Sequence, residues 1–195
     1  MNDSACEITR RTRETDVRLR LDLRGTGQRA IATGVGFLDH LLDTLACHAG
    51  WDLELTCDGD LTVDDHHTAE DCAIVLGQAV DRCLGDRTGL VRFGSAYAPL
   101  DEALARGVVD LVTRPHATVD LGLRRERLGT LSTENVPHVL RSLAISARLC
   151  LHADVLRGEN DHHRAEAAFK ATALALREAL TPRETNDATS TKGDL

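Results

Sequence analysis

Long apolar runs and net positive charge are both missing from this 195-residue chain. No stretch approaches the roughly 18 consecutive apolar residues expected of a membrane span. The opening MNDSACEITRRTRET lacks the apolar core of a secretory signal. Together these absences point to a cytoplasmic protein without a membrane partner. The formal net charge of −8 argues against general nucleic-acid binding through a basic surface. Cysteine occurs at Cys6, Cys47, Cys57, Cys72, Cys83 and Cys150, but never as CxxC. That scatter excludes a zinc ribbon or a disulfide framework and reads as reduced thiols packed as small apolar residues. Lysine is scarce: Lys170 and Lys192 are the only two in a chain that otherwise uses arginine. What remains, 42% hydrophobic and 28% charged residues, is ordinary for a soluble globular chain long enough to bury a core.

Against this background one motif appears twice, as DHHTAE at Asp65 to Glu70 and DHHRAE at Asp161 to Glu166. On a helix, a histidine and a glutamate four residues apart share one face. Imidazole and carboxylate are common donors to divalent metals. The repeat extends outward from the motif. His40 in GFLDHLLDTLACHAG precedes WDLELTCDG and the first motif, and His138 in ENVPHVLRSLAISARL precedes CLHADVLRG and the second. The spacing from the lone histidine to the pair differs by only two residues between halves. A period near one hundred residues is too long for a solenoid and reads as a duplicated half-domain.

Each half is predicted to be several strands followed by helix, strand, helix. DVRLRLDL within Ala5 to Leu23 alternates as a strand; RGTGQ at Arg24 to Gln28 is a turn, with a short strand to Thr33. Val91 to Pro99, Arg106 to Val112 and His116 to Leu121 read as strands, and Leu123 to Ser132 as a polar, Arg-rich connector. The expected fold class is α+β, an internally duplicated domain in which each half is a small mixed sheet with two helices on one face. The halves are residues 1–90 and 91–182, followed by a polar tail at 183–195.

Adjacent residues on a helix point about 100° apart, so His66 and His67 do not comfortably share one ion. His66 with Glu70 makes one same-face pair and His162 with Glu166 its counterpart. Two pseudo-equivalent sites that exchange ligands satisfy all eight groups. Site 1 is His40, His67, His162 and Glu166; site 2 is His66, Glu70, His138 and His163. A single histidine near a helix start is more often solvated or paired with an acid, but eight donors in a repeated pattern point to metal. Mn, Fe, Co, Ni and Zn all suit three imidazoles and one carboxylate. His116 and His152 are expected to carry no ligand role, whereas His48, two turns beyond His40, can line the same cavity. Lys170, two turns beyond His163, and Lys192 in the tail suit an anionic substrate, since lysine offers a compact charge to phosphate.

These residues give a resemblance. The chain resembles the imidazoleglycerol-phosphate dehydratase family over nearly its whole length. The resemblance is carried by RTRET at Arg11 to Thr15, GVGFLDHLLD at Gly34 to Asp43, GDLTVDDHHTAED at Gly59 to Asp71 and RFGSAYAPLDEALAR at Arg92 to Arg106. It continues in DLVTRP at Asp110 to Pro115, GENDHHRAEAAFKA at Gly158 to Ala171 and STKG at Ser190 to Gly193. It implies a ribosomal protein S5 domain 2-like form and the two ligand sets above, filled by manganese. It also implies Glu14 as the acid/base residue and Arg92, Arg114, Lys170, Ser190 and Lys192 as holders of the phosphate, with Ser190 and Lys192 on a tail that closes over substrate. A homo-oligomer, a 24-subunit hollow shell with metal sites at subunit interfaces, follows from the same resemblance. Four positions depart from the family pattern: Thr44, Gly107, His116 and Thr189.

The implied reaction converts D-erythro-imidazole glycerol phosphate to imidazole acetol phosphate and water in L-histidine biosynthesis. The proton to be lost sits on a carbon with no adjacent carbonyl, so the imidazole ring is the only electron sink. Two metals holding the ring as imidazolate would let it expel the hydroxyl through a diazafulvene-like intermediate. The rival class is a dinuclear metal-dependent phosphoesterase, which commonly bridges metals about 3.5–4 Å apart. Here each site has its own glutamate and no obvious bridging acid. A metal-storage protein is a third possibility, with no use for Glu14 or the lysines.

Overall fold

The computed structural model describes residues 4–185, so Ser190 and Lys192 lie outside the described residues. The first half runs β1 (Ala5–Arg11), β2 (Thr15–Asp22), β3 (Arg29–Ala32), α1 (Gly36–Ala49), β4 (Asp52–Gly59) and α2 (His66–Leu84). The second half repeats that order: β5 (Phe93–Leu100), β6 (Ala103–Asp110), β7 (His116–Asp120), a small hairpin of β8 (Arg127–Leu128) and β9 (Leu131–Ser132), then α3 (Asn135–Ser146), β10 (Cys150–Arg157) and α4 (Asp161–Ala179). Each half has one four-stranded sheet, ordered β1-β2-β4-β3 and β5-β6-β10-β7. Only the last pair in each is parallel. The duplication holds rung by rung: Leu19 pairs with Leu55, which pairs with Ile31, and Gly107 pairs with Ala153, which pairs with Val119.

The sequence signals explain the elements. In β2, Val17, Leu19 and Leu21 alternate into the core while Arg18 and Arg20 face out. Helix α1 buries Leu38, Leu41, Leu42 and Leu45, then stops at Gly50, whose left-handed backbone lets its N–H reach the carbonyls of Ala46 and Cys47. Helix α4 starts where the Asn160 side chain accepts the His162 N–H at 2.9 Å. Three elements differ from expectation, the first being the β8–β9 hairpin inside the expected connector at Leu123 to Ser132. Strand β1 is a half-exposed outer strand whose apolar signal is weak, and β6 begins at Ala103, three residues before the alternating stretch that suggested it.

The helices of the two halves pack on one another, α1 against α4 and α2 against α3, and the sheet of each half covers its own two helices from outside. Helix α4 lies close on β5 and β6 because its underside is alanine, from Ala165 and Ala168 to Ala175 and Ala179. Glycines face it. A Cβ at Gly94 would collide with the Ala175 carbonyl, and one at Gly107 would come within 2.7 Å of the Ala171 backbone. The departure at Gly107 therefore has a steric reason, and Thr44 is simply buried in α1. Arg87 ties the halves together. It is 1% exposed and donates from Nη1 to the carbonyls of Leu111 (3.0 Å), Val112 (3.2 Å) and Arg148 (2.6 Å). Its Nη2 donates to the carbonyl of Ala147 (2.7 Å) and to Asp81. Among the described residues no helix is long and apolar enough to cross a membrane.

Candidate metal centre

Because α1 meets α4 and α2 meets α3, each half lends its lone histidine to the motif of the other. His40, His162 and Glu166 come together with donor atoms within 4.8 Å of one another, and so do His66, Glu70 and His138. In the first cluster, Glu166 Oε2 accepts from His40 Nε2 at 3.0 Å and from His162 Nε2 at 3.2 Å. Lys170 Nζ sits 2.7 Å from Glu166 Oε1. Burial pushes the Glu166 carboxyl up, but its bonds to Lys170 and His40 outweigh that and hold it at about 2. An anionic donor is therefore ready between two imidazoles. The cluster opens into a depression of about 600 Å³ lined by Gly34, Gly36, Phe37, Gly129 and Thr130.

In the second cluster His138 Nε2 lies 3.0 Å from Glu70 Oε1, and the rings of His66 and His138 stack with centroids 5.0 Å apart. A buried chain of polar groups aims His66. Its Nδ1 meets Asn135 Oδ1 at 3.1 Å, Asn135 Nδ2 donates to Asp65 at 3.0 Å, and Asp65 also accepts from the Ser132 N–H and hydroxyl. Those bonds keep the Asp65 carboxyl below its ordinary range even though burial, the largest influence, pushes it up.

His67 and His163 join neither cluster of their own chain. In both halves the neighbouring histidine rings are 6.0 Å apart and nearly perpendicular, at 72° and 88°. His67 Nδ1 is held by Asp60 at 3.0 and 3.2 Å, leaving Nε2 3.7 Å from Glu14. His163 Nδ1 is held by Glu102 at 2.7 Å, with Nε2 3.8 Å from Asp101. The carboxylate partner raises the pKa of each ring. A carboxylate on one ring nitrogen is the arrangement that orients metal-bound histidine elsewhere. Each triad in the chain is thus one imidazole short of the set proposed for it, and each remaining imidazole faces away.

His48 is half-buried at the end of α1, and its pKa is lowered first by burial and then by the charge of Lys170. Of the arginines expected to hold phosphate, Arg92 does not lie beside the clusters of the same chain. The N–H of Arg92 donates to Ala179 at the far end of α4, about 20 Å along the helix from Glu166 at 1.5 Å per residue. Its guanidinium grips Asp110 with two bonds, of 2.7 and 3.1 Å, beside the Phe93 ring. Arg114 is exposed, four residues beyond Asp110. His116 and His152 lie on adjacent strands with rings 5.6 Å apart, away from both triads. Sequence reasoning missed Asp60, Glu102 and Asn135, which read only as turn or helix-start residues.

Residues 33–176 match the imidazoleglycerol-phosphate dehydratase family. The chain is 61% identical over 165 residues to the imidazoleglycerol-phosphate dehydratase of Torulaspora delbrueckii, covering 85% of this chain and 74% of the relative. It is 54% identical to that of Candida glabrata, covering 96% and 98%. The crystal structure of the Staphylococcus aureus enzyme superposes with a TM-score of 0.81 at 38% identity, covering 91% and 99%. That of the Pyrococcus furiosus enzyme, in complex with (S)-C348, gives 0.83 at 36% identity, covering 96% and 100%.

Proposed function

The chain belongs to the imidazoleglycerol-phosphate dehydratase family and is a hydro-lyase of histidine biosynthesis, and from that premise we propose that it works with two divalent metals, manganese by preference, held between subunits. The observation that carries this reading is the pair of triads, each lacking one imidazole, beside two outward-facing imidazoles. Site 1 takes His40, His162 and Glu166 from one chain and His67 from another. Site 2 takes His66, Glu70 and His138 from that other chain and His163 from the first. Nitrogen and carboxylate donors in this ratio fit a six-coordinate divalent ion with positions left for substrate.

When bound, the two ions supply Lewis acidity toward the ring nitrogens of the substrate, turning the azole into an electron sink. The protein does the rest. Glu14, half-exposed and 3.7 Å from His67 Nε2, stands beside a donor atom of site 1 and can take and return the carbon-bound proton. Lys170, one turn beyond Glu166, brings positive charge to the rim, and His48 lines the same side as a neutral ring. Arg92, about 20 Å from Glu166 of its own chain, reaches a phosphate only from another subunit, and Arg114, Ser190 and Lys192 complete that grip. A cytoplasmic homo-oligomer, the 24-subunit shell of the resemblance, supplies such neighbours. The perpendicular histidine pairs disfavour the phosphoesterase reading, because each pair directs its two donors to different ions. The test is product identity: manganese-dependent appearance of the ketone without phosphate release supports the dehydration, and release of inorganic phosphate refutes it.

A further inference from the structure

The two halves place a carboxylate at the same point of the fold and use it differently. Leu19 and Gly107 occupy equivalent rungs, so counting back along β2 and β6 makes Glu14 the counterpart of Glu102. Each closes a hairpin turn, and each faces the second histidine of its own half. There the likeness ends. Glu14 remains 3.7 Å from His67, beyond hydrogen-bond distance, with 52% of its side chain exposed. Glu102 is fully engaged. Its Oε1 accepts the backbone N–H groups of Glu159 at 3.1 Å and Asn160 at 2.8 Å, and its Oε2 lies 2.7 Å from His163 Nδ1. A carboxylate accepts and does not donate, so the His163 proton belongs on Nδ1 and the Nε2 lone pair is the one turned outward.

The His67 ring meets the same condition by another route. Asp60, in the turn between β4 and α2, clamps Nδ1 there, whereas Glu102 sits between β5 and β6. Two positions that the duplication does not relate converge on the same ring atom. A shared ancestor would have left the clamp at one position, so the requirement lies with the ring itself.

We propose that Glu102 is a positioning residue, which locks His163 in one tautomer and direction for a neighbouring chain while pinning the turn that starts α4, and that its counterpart Glu14 alone was left free to move protons. This assignment rests on the two-metal reading above. Glu102→Gln keeps the size of the side chain but offers one acceptor and one donor group to three donors. Whichever way the amide turns, a donor meets a donor, or His163 moves its proton to Nε2. The variant is expected to bind manganese at one site per chain as wild type does and at the other roughly 10–100-fold more weakly. The readout is titration of metal-stripped protein with manganese, following the free ion by its spin-resonance signal, which does not depend on turnover. Asp60→Asn should weaken the other site, and the double variant both. Excess manganese should restore turnover to Glu102→Gln but not to Glu14→Gln.

Unchanged affinity at both sites in folded Glu102→Gln overturns the proposal. If that variant does not fold, Glu102→Asp replaces it. Its shorter arm spans either the backbone pair or the ring, so wild-type affinity at both sites is again fatal. Fewer than two manganese ions per wild-type chain would instead overturn the two-metal reading.

Discussion

A chain lacking one ligand should be rescued by a chain lacking a different one, if the two defects fall on opposite sides of a shared site. His67→Ala leaves the triad of His40, His162 and Glu166 whole but cannot complete a neighbour's site. His162→Ala spoils its own triad but still presents His67, which lies outside that triad. Each variant alone should be close to inactive. In a random assembly containing a fraction f of His67→Ala chains, a site is whole only when the triad comes from a His67→Ala chain and the outward ring from a His162→Ala chain. That probability is f(1−f), so an equal mixture should recover about one quarter of wild-type activity. Pairing His66→Ala with His67→Ala is the control. Both defects lie on α2, every site then meets a faulty α2, and no mixture recovers. The assay is ketone formation by co-expressed chains at saturating substrate and manganese. Absence of rescue at every ratio of His67→Ala to His162→Ala would refute ligand exchange between subunits, as would rescue in the control.

Glu14→Gln should bind metal and substrate near normally while losing on the order of 10²-fold or more in turnover; turnover within about threefold of wild type would remove Glu14 from the chemistry. Arg87→Met strands four carbonyl oxygens at the seam between the halves and leaves Asp81 with Arg148 as its cation, at a cost of about 3–5 kcal/mol visible in thermal or urea unfolding, and Arg87→Lys should not recover it. Gly107→Val, which adds the bulk usual for a strand, should cost about 1–3 kcal/mol and weaken manganese binding, since the added atoms meet the backbone of α4. Chelation should shrink the particle and manganese should restore it, because metal that binds across subunits stabilises the associated form; constant size in light scattering after verified metal removal contradicts this.

The parts of the site that were legible obey local geometry. Helical periodicity alone separates His66 from His67 and His162 from His163, and their rings stand at 72° and 88°. The likeness of the halves allows ligands to be exchanged between them, and the family resemblance implies the set that joins His40 with His162 and Glu166, which the fold brings together. Glu102 was illegible because it is 61 residues from His163, and nothing in a two-residue turn announces which ring it will meet. Arg92 shows the converse. Its chemistry is plain from its type, but its distance from Glu166 depends on the length of α4 and on where β5 joins its far end. Strand β1 is hard to read from sequence because its polar, half-exposed pattern resembles a loop until β2 is placed beside it. At Gly107 a residue that weakens an isolated strand is what lets the helix above come close.

The alanine underside of α4 against Gly94 and Gly107 bears on what happens when metal leaves. Alanine and glycine have no rotamers to freeze, so seating this helix costs little side-chain entropy, and backbone-to-backbone contact leaves few alternative seats. His162, His163 and Glu166 therefore stay indexed to the sheet whether or not an ion is present. In small zinc modules the free energy of coordination is largely free energy of folding. On the proposed two-metal reading, a stripped subunit should keep its shape, most of the binding energy should remain for joining chains, and one set of subunits should be open to being taken apart, reloaded with a different ion and reassembled.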